Sequence, residues 1–257
     1  VRLIDSNDAA TVFIVQIYSD RDPISYHLVD LANRKVTLIA ESRPWLDPQR
    51  MQRMNIISFK TAEGIELDAY LTLPAGASKE NPAPLIVMPH GGPWARDDWG
   101  FAPAVQFLAS RGYAVLQPNY RGSTGSGWKF SIADQWDFVK MHEDVTAATQ
   151  TLVRSGYVDP NRIAIMGGSF GGYLALMGAV HEPELYRCAI TFAGVFDWET
   201  SVRFAASNKH ENPEYQIFLR YLELVPKTGI LGSAIDLVAT ESDRGGLGLV
   251  MNVGKNT

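Results

Sequence analysis

The sequence predicts an α/β architecture: a mostly parallel sheet with helices on both faces, preceded by a small antiparallel β-meander. Three observations carry this. Short continuous apolar runs alternate with helical stretches from residue 84 to residue 193, two of those helical stretches stop at a glycine, and residues before 50 hold only β-type runs.

Along the chain, residues 12–18 (VFIVQIY), 25–30 (SYHLVD) and 35–40 (KVTLIA) are rich in β-branched and aromatic residues, and the polar stretches between them are good turn material. Three such strands bury too little surface to stand alone, so residues 1–50 read as the end of a domain whose beginning lies elsewhere. A first strand pair is expected at 55–60 and 67–73, around the turn Ala62-Glu63-Gly64. Alternation then begins. Residues 84–88 (PLIVM) form an apolar strand of the kind buried on both faces, and 101–111 carry Val105, Leu108 and Ala109 at helical spacing before Gly112. Residues 113–116 are again strand-like. Residues 137–155 form a long helix with Val145, Ala148 and Leu152 on one face, ending at Gly156. A third core strand at 162–166, a third helix at 171–181 and a fourth strand at 188–193 complete the pattern, which implies right-handed crossovers.

Composition narrows the function classes. With 46% hydrophobic and 20% charged residues in 257, the chain is globular, and a formal net charge of −5 offers no general attraction to nucleic acid. One cysteine, Cys188, excludes an internal disulfide and a cysteine-rich metal site. No apolar run reaches the roughly 20 residues that a membrane-crossing helix needs. The chain starts at Val1 without Met or a signal-like segment, which reads as a fragment or a processed product.

The chemistry centres on Gly167-Gly168-Ser169-Phe170-Gly171, a GxSxG string with a predicted strand before it and a helix after it. In that setting the glycines permit a sharp reversal that lifts the Ser169 hydroxyl clear of the sheet. The backbone N–H of Phe170, at the helix start, is placed where an oxyanion would form. The duller reading is that Ser169 caps the helix. A second oxyanion donor is expected at Gly92, in His90-Gly91-Gly92-Pro93 directly after the strand at 84–88, where a glycine pair lets the backbone approach a ligand. The alternative is a plain turn closed by Pro93.

Taken together, Gly-Gly-Ser-Phe-Gly-Gly-Tyr at 167–173, His-Gly-Gly-Pro at 90–93 and Asn119-Tyr120-Arg121-Gly122-Ser123-Thr124-Gly125-Ser126-Gly127 resemble the prolyl oligopeptidase family of serine peptidases, with its dipeptidyl-peptidase and acylaminoacyl-peptidase branches. The resemblance spans about residues 12–200, with the motifs in the family's order. It implies an α/β-hydrolase domain at 51–257, lacking its usual C-terminal strands, and at 1–50 the end of an incomplete β-propeller domain. It also implies Ser169 as nucleophile, Phe170 and Gly92 as oxyanion donors, peptides as substrate, and neither a cofactor nor a metal. The 119–127 segment would lie near the site; its bland reading is a glycine-rich surface turn.

In that fold the acid and the base follow the serine in the chain. The strings that carry them in the family, an HGxxD-like turn and a GHG-like loop, do not occur after Ser169. His181 falls on the helix after the serine, and His210 sits in a polar turn with no preceding sheet strand. Asp243, after the run 235–240, is the best-placed acid, ahead of Asp197 and Asp236. The glycine-rich stretch 244–248 gives no closing strand and helix. The sequence therefore reads as cut short, or as leaving the family's pattern, before acid and base are reached, and it leaves open whether this chain by itself is active.

Other classes fit less well. A carboxylesterase would share the serine and HGG motifs but not the meander or the NYRGSTGSG segment. A non-catalytic hydrolase scaffold is the second alternative. The histidines His27, His90, His142, His181 and His210 show no metal-ligand spacing, and no GxGxxG follows the first parallel strand. Tyr120, Trp94, Trp128 and Trp136 are either aromatic walls of a pocket or core.

Overall fold

Backbone pairing follows the apolar runs closely. The computed structural model describes residues 1–125, 127–196, 239–241 and 247–252, the last two stretches as backbone only. An N-terminal sheet contains β1 (Arg2–Ser6), β2 (Val12–Ile17), β3 (Ser25–Asp30) and β4 (Lys35–Glu41), paired antiparallel in that order. Strand β1 was not expected: its Arg-Leu-Ile-Asp-Ser sequence has only two apolar residues, and it pairs with β2 through an irregular register between Leu3 and Asp5.

Among the described residues the second sheet has eight strands. Strands β5 (Met54–Lys60) and β6 (Glu66–Thr72) form a hairpin, followed by β7 (Ala83–Val87), helix α1 (Pro103–Ser110), β8 (Ala114–Pro118), α2 (Phe138–Ser155), β9 (Val158–Gly168), α3 (Phe170–His181) and β10 (Cys188–Phe192). The short β11 (Ala239–Glu241) and β12 (Leu247–Asn252) complete it, in the spatial order β11-β12-β10-β9-β7-β8-β6-β5. The central pairs β7/β8, β7/β9 and β9/β10 are parallel and the flanking pairs antiparallel, so the sheet is mixed with a parallel centre. That centre is buried, with Leu85, Val87, Leu116, Ile163 and Ile165 in the core, as expected for strands covered on both faces.

Strand β12 departs from the sequence expectation that nothing after Gly248 closes the sheet. Gly248 to Asn252 pair antiparallel with Phe192 to Cys188. The apolar Leu249, Val250 and Met251 supply strand propensity that the neighbouring glycines mask in a compositional reading.

Helix ends follow local chemistry. The Asp137 carboxylate caps α2 by accepting from the Lys140 N–H, and Gly156, at φ 81°, terminates it in the left-handed conformation. The two sheets are stitched by Gln106 of α1, whose buried amide donates to Asp20 O and Gln52 O and accepts from Gln52 N–H. The Asp20 carboxylate also accepts from Met54 N–H at 2.9 Å.

Helices α2 and α3 pack on one another and bring His142 within 5.6 Å of His181, ring centre to ring centre. Burial, aided by the charge His181 can carry, lowers the His142 pKa to about 4. The unfolded chain therefore binds this proton first, so the stability due to neutral His142 is intact above pH 6.5 and falls away as pH drops toward 4. We expect His142→Leu to remove about 2 kcal/mol of the stability lost between pH 7 and pH 5, measured by urea unfolding at both values. An unchanged pH dependence would refute this. His90 acts in the same direction, whereas Asp97, which burial raises to about 6, acts in the opposite one.

Candidate active site

The chain reverses at Ser169, between the last residue of β9 and the first of α3. Its backbone sits at φ 53°, ψ −125°, close to a turn position that favours glycine. Ser169 N–H donates to Phe192 O at 3.1 Å, and Ser169 O accepts from Gly172 and Tyr173 N–H. The hydroxyl makes no capping bond to α3, so the helix-cap reading has no geometric support. Two glycines have steric reasons: a Cβ at Gly167 would overlap the Gly171 carbonyl, and one at Gly171 would overlap the Pro89 carbonyl. Three backbone segments thus converge where side chains would not fit.

The third of these segments is the His90-Gly91-Gly92-Pro93 turn after β7. A Cβ on Gly91 would lie 3.4 Å from Ser169 Cβ and 3.9 Å from Ser169 Oγ, so the fold brings the two expected halves of the site together. Gly92, at φ 130°, adopts a conformation that side chains disfavour. Phe170, the other predicted oxyanion residue, follows Ser169. Its ring is buried against Phe138 (4.9 Å), Tyr173 (5.4 Å) and Tyr120 (6.1 Å), which anchors the start of α3.

His90 is tied into the same structure. Its Nδ1 lies 2.7 Å from Gly91 O, its Nε2 2.9 Å from Ser123 Oγ, and its ring stacks on Tyr120 at 4.3 Å with 16° between planes. A carbonyl only accepts, so Nδ1 carries the proton and donates to Gly91 O, and the bare Nε2 accepts from the Ser123 hydroxyl. Burial lowers the His90 pKa to about 4, against the opposing effect of the Gly91 carbonyl. The ring is neutral at pH 7 with both nitrogens occupied, which leaves it nothing to offer as a general base. The sequence places His90 in the His-Gly-Gly-Pro motif and among the histidines without metal spacing, but gives its side chain no role.

The 119–127 segment differs from the surface-turn reading in its first half. Asn119, Tyr120, Arg121 and Ser123 are buried, whereas Thr124 and Gly125 are exposed. The Asn119 amide brackets Asp97, accepting from its N–H at 2.9 Å and donating to its carbonyl at 3.2 Å. Arg121 makes a bidentate pair with Asp144 of α2, both bonds at 2.8 Å, and its own N–H donates to the same carboxylate. A further guanidinium nitrogen reaches Glu63 at 2.8 Å, and Glu63 in turn pairs with Lys140. Burial works against the Arg121 charge, but the bonds and charges of Asp144 and Glu63 more than offset it and raise its pKa above the usual arginine range.

Among the aromatic candidates, Tyr120 is core and its hydroxyl donates to His90 O at 2.8 Å. Trp94 packs on Trp136 at 4.1 Å and donates to Gln135 O, and Trp128 and Trp136 are partly buried against the core. His181, the last residue of α3, lies about 18 Å along the helix from its start. None of the described histidines hydrogen-bonds the Ser169 hydroxyl. Asp197, His210, Asp236 and Asp243 lie outside the described residues. Among the described residues no group of three or more His, Cys, Asp or Glu could hold a metal ion, and no helix is long and apolar enough to cross a membrane.

Comparison with known proteins adds a family. Residues 99–220 match the model of the prolyl oligopeptidase family. The chain is 36% identical over 189 residues to dipeptidyl aminopeptidase BIII of Pseudoxanthomonas mexicana, which covers 71% of this chain and 27% of that protein. It is 31% identical over 205 residues to dipeptidyl peptidase family member 6 of Caenorhabditis elegans, covering 72% and 28%. The chain thus spans little more than a quarter of the length of these relatives. Among solved structures, a puromycin-hydrolysing peptidase of Mycobacterium tuberculosis superposes with a TM-score of 0.68 at 27% identity, covering 83% of this chain and 35% of that one. A puromycin hydrolase does so at 0.66 and 26%, covering 87% and 33%.

Proposed function

Because the chain belongs to the prolyl oligopeptidase family of serine peptidases, we propose that it is the nucleophile-bearing part of a peptidase that hydrolyses short peptides through an acyl-enzyme on Ser169. In this reading Ser169 Oγ attacks the scissile carbonyl carbon and its proton passes to a base. The carbonyl oxygen becomes an oxyanion held by the N–H groups of Phe170 and Gly92. The amine departs with a proton, and water then releases the acyl group. In such a triad the acid and the base follow the serine in the chain. The four-stranded sheet within residues 1–50 is assigned to a propeller-type domain, and residues 51–257 to the hydrolase domain.

One observation carries the reading: Ser169 occupies a strained backbone conformation at the start of α3, has no capping bond, and lies beside the Gly91-Gly92 turn. A serine that served only to cap the helix would bond to the helix and would not need that strain.

The test is covalent. Incubation with an organofluorophosphonate is expected to give one adduct, located on Ser169 by peptide mass spectrometry and absent from Ser169→Ala. A folded wild-type chain that takes no label would overturn the proposal in favour of a non-catalytic scaffold. Labelled protein that cleaves acyl esters but no peptide would place it among carboxylesterases.

A further inference from the structure

We propose that His142 of α2 and His181 at the end of α3 are paired ligands for an exchangeable divalent metal ion of the zinc class, which bridges the two helices. This site stands apart from Ser169, at the opposite end of α3, and does not draw on the peptidase reading.

One buried nitrogen lacks a partner. His142, Thr146 and Thr149 recur at helical spacing on the buried side of α2, and Thr149 Oγ1 lies 3.2 Å from the hydroxyl of Tyr186, which is itself buried. His142 belongs to that face and is 6% exposed. Its Nε2 is sealed from solvent, yet it has no hydrogen-bond partner among the described residues. Leaving such a nitrogen unbonded is costly, and in native structures an ordered water, a ligand or an ion usually meets it.

His181 supplies the second half of an ion site. Helices α2 and α3 pack together, and the two ring centres are 5.6 Å apart with 49° between their planes. Two imidazoles on one tetrahedral zinc, with Zn–N bonds near 2 Å, hold their ring centres about 5 Å apart, so a small rotation of the exposed His181 side chain closes the difference. His181 gives the ion a way in from solvent, and buried His142 gives it a fixed anchor.

The setting favours a cation. Helix α3 ends at His181, where its last carbonyls gather the negative end of its dipole, and the next residue is Glu182. Imidazole nitrogen suits zinc, copper or nickel, whereas magnesium and calcium take oxygen ligands. Two protein ligands are fewer than the four of a structural zinc site or the three of a catalytic one, so water completes the coordination and the ion exchanges. Motif spacing does not reveal this pair, because the histidines lie 39 residues apart on different helices.

The experiment uses the whole chain, free of any histidine tag and dialysed against a chelator. Calorimetric titration with zinc chloride near neutral pH should show a micromolar site, and saturating zinc should raise the midpoint of thermal unfolding. Magnesium chloride should do neither. His181→Ala removes only an exposed side chain, and it should weaken zinc binding by about a hundredfold or more and abolish the thermal shift. His142→Asn should do the same, whereas His27→Ala should leave both intact. Nitrogen-15 NMR of the wild-type chain should show zinc moving a ring nitrogen of His142 and of His181 together. No zinc binding by the folded wild-type chain, or binding that His181→Ala retains, would overturn the proposal. If His142→Asn does not fold, the wild-type ring shifts take its place: a His142 ring unmoved by saturating zinc would refute the pairing.

Discussion

Ser169→Gly is expected to make the protein more stable while abolishing the reaction proposed for Ser169. At φ 53°, ψ −125° a serine bears strain of about 1–3 kcal/mol that glycine does not. Against this stands the extra freedom glycine gives the unfolded chain, about 0.4–1 kcal/mol, so a net gain on the order of 1 kcal/mol remains. No hydrogen bond from the hydroxyl to α3 is lost in the exchange. Ser169→Ala keeps a Cβ and hence the strain, and its stability should lie within about 0.5 kcal/mol of wild type. Both variants should lower the kcat of the proposed reaction by about 10⁶, the loss found when a triad serine is removed. Urea unfolding of the three proteins, alongside peptide hydrolysis, separates the effects. A Ser169→Gly variant less stable than wild type would show that the reversal is not strained as described.

Asp144→Ala is expected to be the most destabilising single change among the described residues, at about 3–5 kcal/mol. It would leave the Arg121 guanidinium, 2% exposed, without its bidentate partner, and the Arg121 N–H without an acceptor. Glu63 is exposed and shared with Lys140, and Asp134 lies farther away at 3.6 Å, so these two carboxylates compensate little. Urea unfolding of purified variants measures the loss. If Asp144→Ala does not accumulate folded, Asp144→Asn keeps an acceptor and should be milder. Removing both charges in Arg121→Met with Asp144→Leu should recover much of the loss, because the penalty comes from stranding one charge. A double variant as unstable as the single one would mean that the pair contributes through its shape and not through its charge.

Most of the fold was legible because the core strands carry short apolar runs and α1 and α2 end at or just before a glycine. Residues 84–88, 113–116 and 162–166 could be placed without knowing their partners. Strands β1 and β12 were not, since Arg2-Leu3-Ile4-Asp5-Ser6 and the glycine-flanked Leu247–Asn252 become strands by pairing with an edge that a linear reading does not contain. The site divides in the same way. Ser169 and Gly92 announce themselves through glycines whose spacing reflects backbone crowding. The bonding of His90 does not, because it involves a serine hydroxyl 33 residues later. Arg121 was read only as part of a loop near the site or of a glycine-rich surface turn, since nothing local distinguishes a solvated arginine from one that meets Asp144 in a helix 23 residues away.

The spatial order of the sheet also sets a schedule for assembly. Strand β7 delivers the Gly91-Gly92 turn and β9 delivers Ser169, yet these neighbours, with Ile86 opposite Ala164, are separated in the chain by α1, β8 and α2. Closing so long a loop has an entropic cost that comes before the contacts that offset it, so the pairing belongs to the slow, non-local part of folding. The hairpin β5/β6 and the helices can form early from nearby residues. The approach of the Gly91-Gly92 turn to Ser169 can exist only once the two halves of the chain have met, which makes it a late reporter of completed folding, behind any signal that follows secondary structure alone.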